Sequence, residues 1–167
     1  RHRASPMRDL VCLRIILDAV RTQRPDIVHA FTIKAVLLAG LATMIMRQKP
    51  ALILTFAGLG KIFEPSRAAW PRARQAVVTT ILRRIGRACS PWVTFENEGD
   101  RRRAIGMEFA HDDRSRTVQG AGIDPKLFYP PVKPSEGALR ILMASRMIAT
   151  KGVDVFIDAA ERLNGNA

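Results

Sequence analysis

Arg146 and Lys151 stand five residues apart where an apolar run, Leu139 to Ser145, gives way to helical spacing through Leu163. A strand ending at Ser145-Arg146, a short turn and a helix opening after Lys151-Gly152 would set two cations at the mouth of that helix. Backbone N–H groups point the same way there, so the pair suits phosphate oxygens. As isolated residues they read equally as solvated surface charges; the strand-turn-helix setting favours the clamp. Other residues with chemical potential also follow or end short apolar runs. They are His29, Thr55 with Gly58 and Gly60, Asn97, and Gly120 with Gly122. His29 alone also reads as a core histidine, Asn97 as a simple helix cap, and the glycines as ordinary turn residues.

The elements that must position them alternate. Leu10 to Val20 has helical spacing, stopped at Arg24-Pro25. Asp26 to Ala30 reads as a buried strand. Thr32 reads as the N-cap of a helix with Val36, Leu37, Leu41, Met44 and Ile45 inward. Ala51 to Phe56 is a second strand, followed by the turn Ala57-Gly58-Leu59-Gly60. Pro71 suits the first turn of a helix reaching Ala88. Trp92 to Phe95 is a third strand, Asn97 or Glu98 opens a charged helix through Arg103, and Thr117 to Gln119 is a brief fourth strand. Gly120 to Asp124 is a tight loop, and Tyr129-Pro130-Pro131 through Gly137 reads as a linker. Strand-helix alternation of this kind predicts an α/β fold with a parallel, doubly wound sheet. Ligands then bind beyond the carboxyl ends of the strands. The expected division is 1–133, a Rossmann-like domain, and 134–167, the start of a second domain. The linker would bring Arg146 and Lys151 across the crevice.

Composition narrows the partners. The chain has 167 residues, 47% hydrophobic, enough for a packed core, and a net charge of +12 that suits an anionic partner. Arg72, Arg74, Arg83, Arg84 and Arg87 lie among Val77, Ile81 and Ile85. This segment reads either as a solvated face or as a helix on anionic lipid, each cation near the surface contributing about 1 kcal/mol. The longest apolar run, Ala35 to Met46, falls short of the roughly 20 residues a span needs. Cys12 and Cys89 have no metal or redox spacing and read as buried small apolar residues of a reducing compartment. His111-Asp112-Asp113 has no second ligand set, so no metal site is assigned.

Five segments, PDIVHAFTIKAVLLA, TFAGLG, FENEGDRR, GAGIDPKLFYP and SRMIATKGVDVFIDAAERL, occur in an order and spacing that resembles glycosyltransferase family 4. The similarity runs from about Pro25 onward and is nearest the branch acting on polyprenyl-linked sugars in capsule and cell-envelope polysaccharide biosynthesis. It implies a GT-B fold and transfer of a sugar from a nucleotide-diphosphate donor to a lipid-linked or saccharide acceptor. The reaction would be retaining and metal-independent, with no cofactor. The enzyme would be cytoplasmic and peripheral on the inner membrane face, there through Arg83, Arg84 and Arg87. Arg146 and Lys151 match the diphosphate-binding pair, with a catalytic role in stabilising the leaving group. Gly120 and Gly122 match the donor-side loop. His29, Lys34, Gly58, Gly60 and Asn97 match the acceptor side, and Asp100 the polar start of the charged helix.

Ala57 stands where many relatives carry a histidine, and the family's second-domain glutamate pair has no counterpart before Ala167. The chain starts at Arg1, and it is expected to be incomplete at both ends, to lack the first strand, and to be inactive alone. Two alternatives remain at the level of sequence: a non-catalytic remnant, or a basic nucleic-acid-binding module. The latter finds no aromatic stacking stripe, Tyr129 being the only tyrosine.

Overall fold

The computed structural model describes residues 6–63, 68–120, 122–129, 140–148 and 151–165. The chain divides into two compact units, Arg1–Gly122 and Ile123–Ala167. The boundary expected from sequence, at 133, lies outside the described residues.

The first unit is an α/β domain with an open, all-parallel sheet. Helix α1 (Pro6–Gln23) leads to β1 (Ile27–Phe31), α2 (Ile33–Met44) and β2 (Ala51–Phe56). A single 3-10 turn at Lys61–Phe63 follows, then α3 (Ala69–Cys89), β3 (Trp92–Phe95), α4 (Glu98–Gly106) and β4 (Ser115–Thr117). The strand order is β1-β2-β3-β4. Thr55 pairs with Thr94, and Phe56 with Phe95. That register puts Leu52, Leu54, Phe56, Val93 and Phe95 on one face, where they form the core with Val36, Val78, Leu82, Ile85, Phe63 and Phe109. The Phe56 and Phe95 rings stack at 5.4 Å between centroids. The opposite face carries His29, Thr55 and Thr94 among Ile27, Phe31 and Trp92, which are 57%, 54% and 44% exposed.

Several local expectations change. β1 is an edge strand in which only Ala30 is buried, because a first strand with one neighbour has one covered face. Thr32 precedes α2 but makes no side-chain cap bond; it sits at φ 70°, a strained value for a β-branched residue. α2 turns its small residues inward: Ala39, Gly40, Ala42 and Thr43 are buried with Val36, while Ile45 is 56% exposed. The reason is proximity. α2 packs on both α1 and α3, and a Cβ on Gly40 would lie 2.5 Å from Ile85 Cδ1. β4 forms two residues earlier than its hydrophobicity suggested, because Ser115 can pair with Val93 while Arg101 Nε donates to its hydroxyl at 3.0 Å. Cys12 and Cys89 are half-buried free thiols, and burial raises the Cys89 pKa.

Much of the arginine excess is structural. Arg83 Nε donates to the Met107 carbonyl at 2.7 Å, Arg114 Nη1 to that of Ser90 at 2.9 Å, and Arg103 Nη2 to that of Phe63. Arg101 bridges Glu98 and Asp112. These arginines hold loops and helix ends in place, so the +12 charge overstates the surface offered to a partner.

In the second unit, α5 (Val153–Gly165) forms where sequence places it. The strand expected to end at Ser145-Arg146 is not formed: residues 140–148 are irregular, with Ile141 and Leu142 63% and 89% exposed. A strand needs a neighbour for its backbone groups, and no extended partner exists among the described residues of this unit.

Candidate functional site

Three polar side chains line up across the carboxyl half of the first unit's sheet. His29 Nε2 lies 2.7 Å from Thr55 Oγ1, which lies 2.6 Å from Thr94 Oγ1. The parallel register explains the diagonal. His29 sits opposite Ile53, so its ring leans one pleat along β2 to reach Thr55, and Phe31 supports it at 4.1 Å between centroids. Each hydroxyl can donate to one neighbour and accept from another. The row therefore orients a single polarity, with the His29 tautomer following from it. Thr32, strained just beyond His29, donates its N–H to the Thr55 carbonyl at 3.2 Å. Strain of this kind collects at functional positions.

Beside this row stands the glycine turn. Gly58 and Gly60 adopt φ of 95° and 66°, which L side chains avoid. Asp100 anchors the turn: its Oδ2 accepts from the Leu59 N–H and from Asn97 Nδ2, each at 3.1 Å. Asn97 caps α4 as expected, its Oδ1 accepting from the Asp100 N–H at 2.8 Å. The loop after β2 and the start of α4 are thus one hydrogen-bonded piece. Asp100→Ala is expected to leave the buried Leu59 N–H without its partner, at a cost of about 1–3 kcal/mol. Thermal unfolding measures that cost, and unchanged hydrogen exchange at Leu59 would refute the anchoring role.

Gly120 lies near the same edge, and a Cβ there would meet the Glu96 carboxylate carbon at 3.6 Å. Gly122 faces open space. Lys34 sits in the first turn of α2, paired with Asp9 of α1 at 2.6 Å, and that bond raises its pKa. Arg84 and Arg87 are exposed on α3, while Arg83 is half-buried against Met107 and Glu108.

Glu98 joins α4 to β4. Its Oε2 accepts from the Thr117 hydroxyl at 2.7 Å and its Oε1 from Arg101 at 3.0 Å. Together these lower the Glu98 pKa from its ordinary 4.5, the Thr117 bond contributing most. A lowered carboxyl stabilises the fold fully above its ordinary value, and that contribution fades as pH falls through the lowered one. The melting-temperature gap between the protein and Glu98→Gln is therefore expected to be constant above about pH 4.5 and to close below it. A gap independent of pH down to unfolding would contradict this.

Arg146 and Lys151 belong to the second unit. Both are exposed, on a turn closed by Ile148 N–H to Arg146 O at 2.8 Å and Lys151 N–H to Ile148 O at 2.9 Å. Gly152, at φ 74°, turns the chain into α5, and the Phe156 N–H bonds its carbonyl at 3.0 Å. The two cations thus stand at the entrance of a helix.

Sequence reading passed over Thr94 and Glu98. The signal for Thr94 was present: ALILTF and WVTF both close on Thr-Phe, so an in-register pairing aligns the two hydroxyls. A cleft of about 660 Å³ lined by Arg21, Arg24, Arg47 and Lys49 lies at the amino ends of the strands, away from this constellation. Among the described residues no group of His, Cys, Asp or Glu has the arrangement of a metal site. No protein-family model matches this chain, and no curated protein matches it significantly.

Proposed function

We propose that the chain carries the acceptor-side domain, and the opening of the donor-binding domain, of a retaining GT-B glycosyltransferase of the family 4 type. Such an enzyme moves a sugar from a nucleotide-diphosphate donor to a hydroxyl of a lipid-linked or saccharide acceptor. The bond from the anomeric carbon to the diphosphate breaks, the bond to the acceptor oxygen forms, and the hydroxyl proton departs.

The observation that carries the reading is the row His29–Thr55–Thr94 beside the Asp100-anchored glycine turn, at the strand ends where an α/β sheet binds ligands. These groups exchange hydrogen bonds with hydroxyls and carry no fixed positive charge, which suits a sugar acceptor better than a phosphate. Arg146 and Lys151, at the entrance of α5, have the chemistry for the other half of the reaction. In this reading they neutralise the departing diphosphate with the helix amino terminus, in the role a metal takes elsewhere.

No helix among the described residues is long and apolar enough to cross a membrane. With a polyprenyl-linked acceptor the enzyme would work peripherally, on the cytoplasmic membrane face. The test uses a polypeptide carrying this chain with a complete donor-binding sheet. It is incubated with labelled uridine- and guanosine-diphosphate sugars and a bacterial lipid extract. Label entering the lipid or saccharide fraction, dependent on His29 and Thr55, is the expected result. Failure across the donor panel, with the sheet intact, would overturn the reading.

A further inference from the structure

Helix α3 holds five arginines and no Asp or Glu in 21 residues. Val78, Leu82, Ile85 and Gly86 are its buried side. Trp70, Ala73, Val77, Thr80, Arg84 and Arg87 recur at three- and four-residue spacing and are all exposed, so they form one continuous line. Trp70 is 78% and Val77 58% exposed. Thr80 donates its hydroxyl to the Ala76 carbonyl at 2.8 Å, so its polar group is satisfied within the helix. Arg84 and Arg87 make no hydrogen bond or ion pair to any described residue, in contrast to Arg83. One end of the line is therefore aromatic and apolar, and the other is cationic. Between Trp70 and Arg87 it spans about 26 Å at 1.5 Å per residue.

We infer that this line is a docking surface for anionic lipid headgroups. Trp70 seats at the headgroup–acyl boundary and Arg84 and Arg87 meet the phosphates. Tryptophan favours that boundary, where one side of the ring is apolar and the other wet. An amphipathic helix with cations on its solvent side lies in the interface plane. A nucleic-acid backbone matches the arginines but gives Ala73 and Val77 nothing to bury against, which favours lipid. Arg83 is a structural residue here, holding α3 to the loop at Met107. The inference rests on the proposed glycosyltransferase reading only for the choice of leaflet. Docking is measured without donor or acceptor, so either can fail while the other stands.

The test sediments the chain with phosphatidylglycerol-containing vesicles and with pure phosphatidylcholine vesicles, at low and high salt. Binding is expected on the anionic vesicles alone, weakening with salt. The double variant Arg84→Ala/Arg87→Ala is expected to lower partitioning about 30-fold, at about fivefold per cation, and the double Lys variant to keep it. In a Trp92→Phe background the Trp70 emission is expected to shift to the blue on anionic vesicles. Arg83→Ala is expected to lower thermal stability and leave partitioning within about twofold. Equal binding to neutral vesicles, no binding, or partitioning unchanged in the double Ala variant would overturn the inference. So would displacement by duplex DNA with no emission shift, which would assign the face to nucleic acid.

Discussion

Lys151→Ala, in a polypeptide with a complete donor-binding sheet, is expected to lower kcat/KM for sugar transfer by about 10²- to 10³-fold and to weaken ground-state donor binding far less. The argument starts from the turn. Arg146 and Lys151 flank a segment closed by two backbone hydrogen bonds, and Gly152 then sends the chain into α5. A diphosphate held there gains negative charge as the glycosidic bond breaks. A fixed cation therefore binds the transition state better than the ground state, the condition for raising kcat. Removing one such contact in a water-excluded site costs about 3–4 kcal/mol. Arg146→Lys is expected to recover only part of the loss of Arg146→Ala, because a point charge replaces a planar fork that can grip two oxygens. Near-normal rates for both Ala variants, at limiting and saturating donor, would remove the clamp and with it the main reason for placing donor chemistry in the second unit.

How far the sequence was legible follows from how local each signal was. β2, β3, the glycine turn and the Asn97 cap rest on short-range chemistry, and all four stand where their residues placed them. The segment before Arg146 had the same apolar look, yet residues 140–148 form no strand. A strand is a property of two segments, and its own residues cannot supply the second. β4 misplaced itself for the same reason: Val118 looked more strand-like than Ser115, but the pairing with Val93 and the Arg101 bond decide its position. At the candidate site, His29, Thr55 and Asn97 were legible as strand-end residues. That Thr55 sits between His29 and Thr94 was not, because it needs the register of three strands at once. Arg83, Arg84 and Arg87 looked equivalent as sequence, and only packing separates the one that holds α3 in place from the two that face outward.

The inward face of α2 was the clearest misreading, and it yields a prediction on stability. Large residues at Leu37, Leu41, Met44 and Ile45 suggested the buried stripe, but Gly40 and its small neighbours form the seam, because α3 lies close there. A Cβ at Gly40 would stand 2.5, 2.8 and 3.0 Å from three atoms of Ile85, a residue with 0% exposure and no room to withdraw. Gly40→Val is therefore expected to destabilise the first unit by about 2–3 kcal/mol, overpacking outweighing the better helix propensity. Gly40→Ala balances a smaller clash against a gain of roughly 1 kcal/mol from leaving glycine, and is expected to cost less. The decisive measurement is a double-mutant cycle by denaturant unfolding. Ile85→Ala alone opens a cavity and costs about 2–5 kcal/mol. In the Gly40→Val background the same change makes room for the new side chain. The two effects are then expected to be non-additive, with the pair more stable than the sum of the singles by about 1–3 kcal/mol. Additive losses would mean that α2 and α3 do not meet at this position. The seam that aligns β2 and β3 with the helices behind them, and so holds Thr55 beside Thr94, would then have to be sought elsewhere.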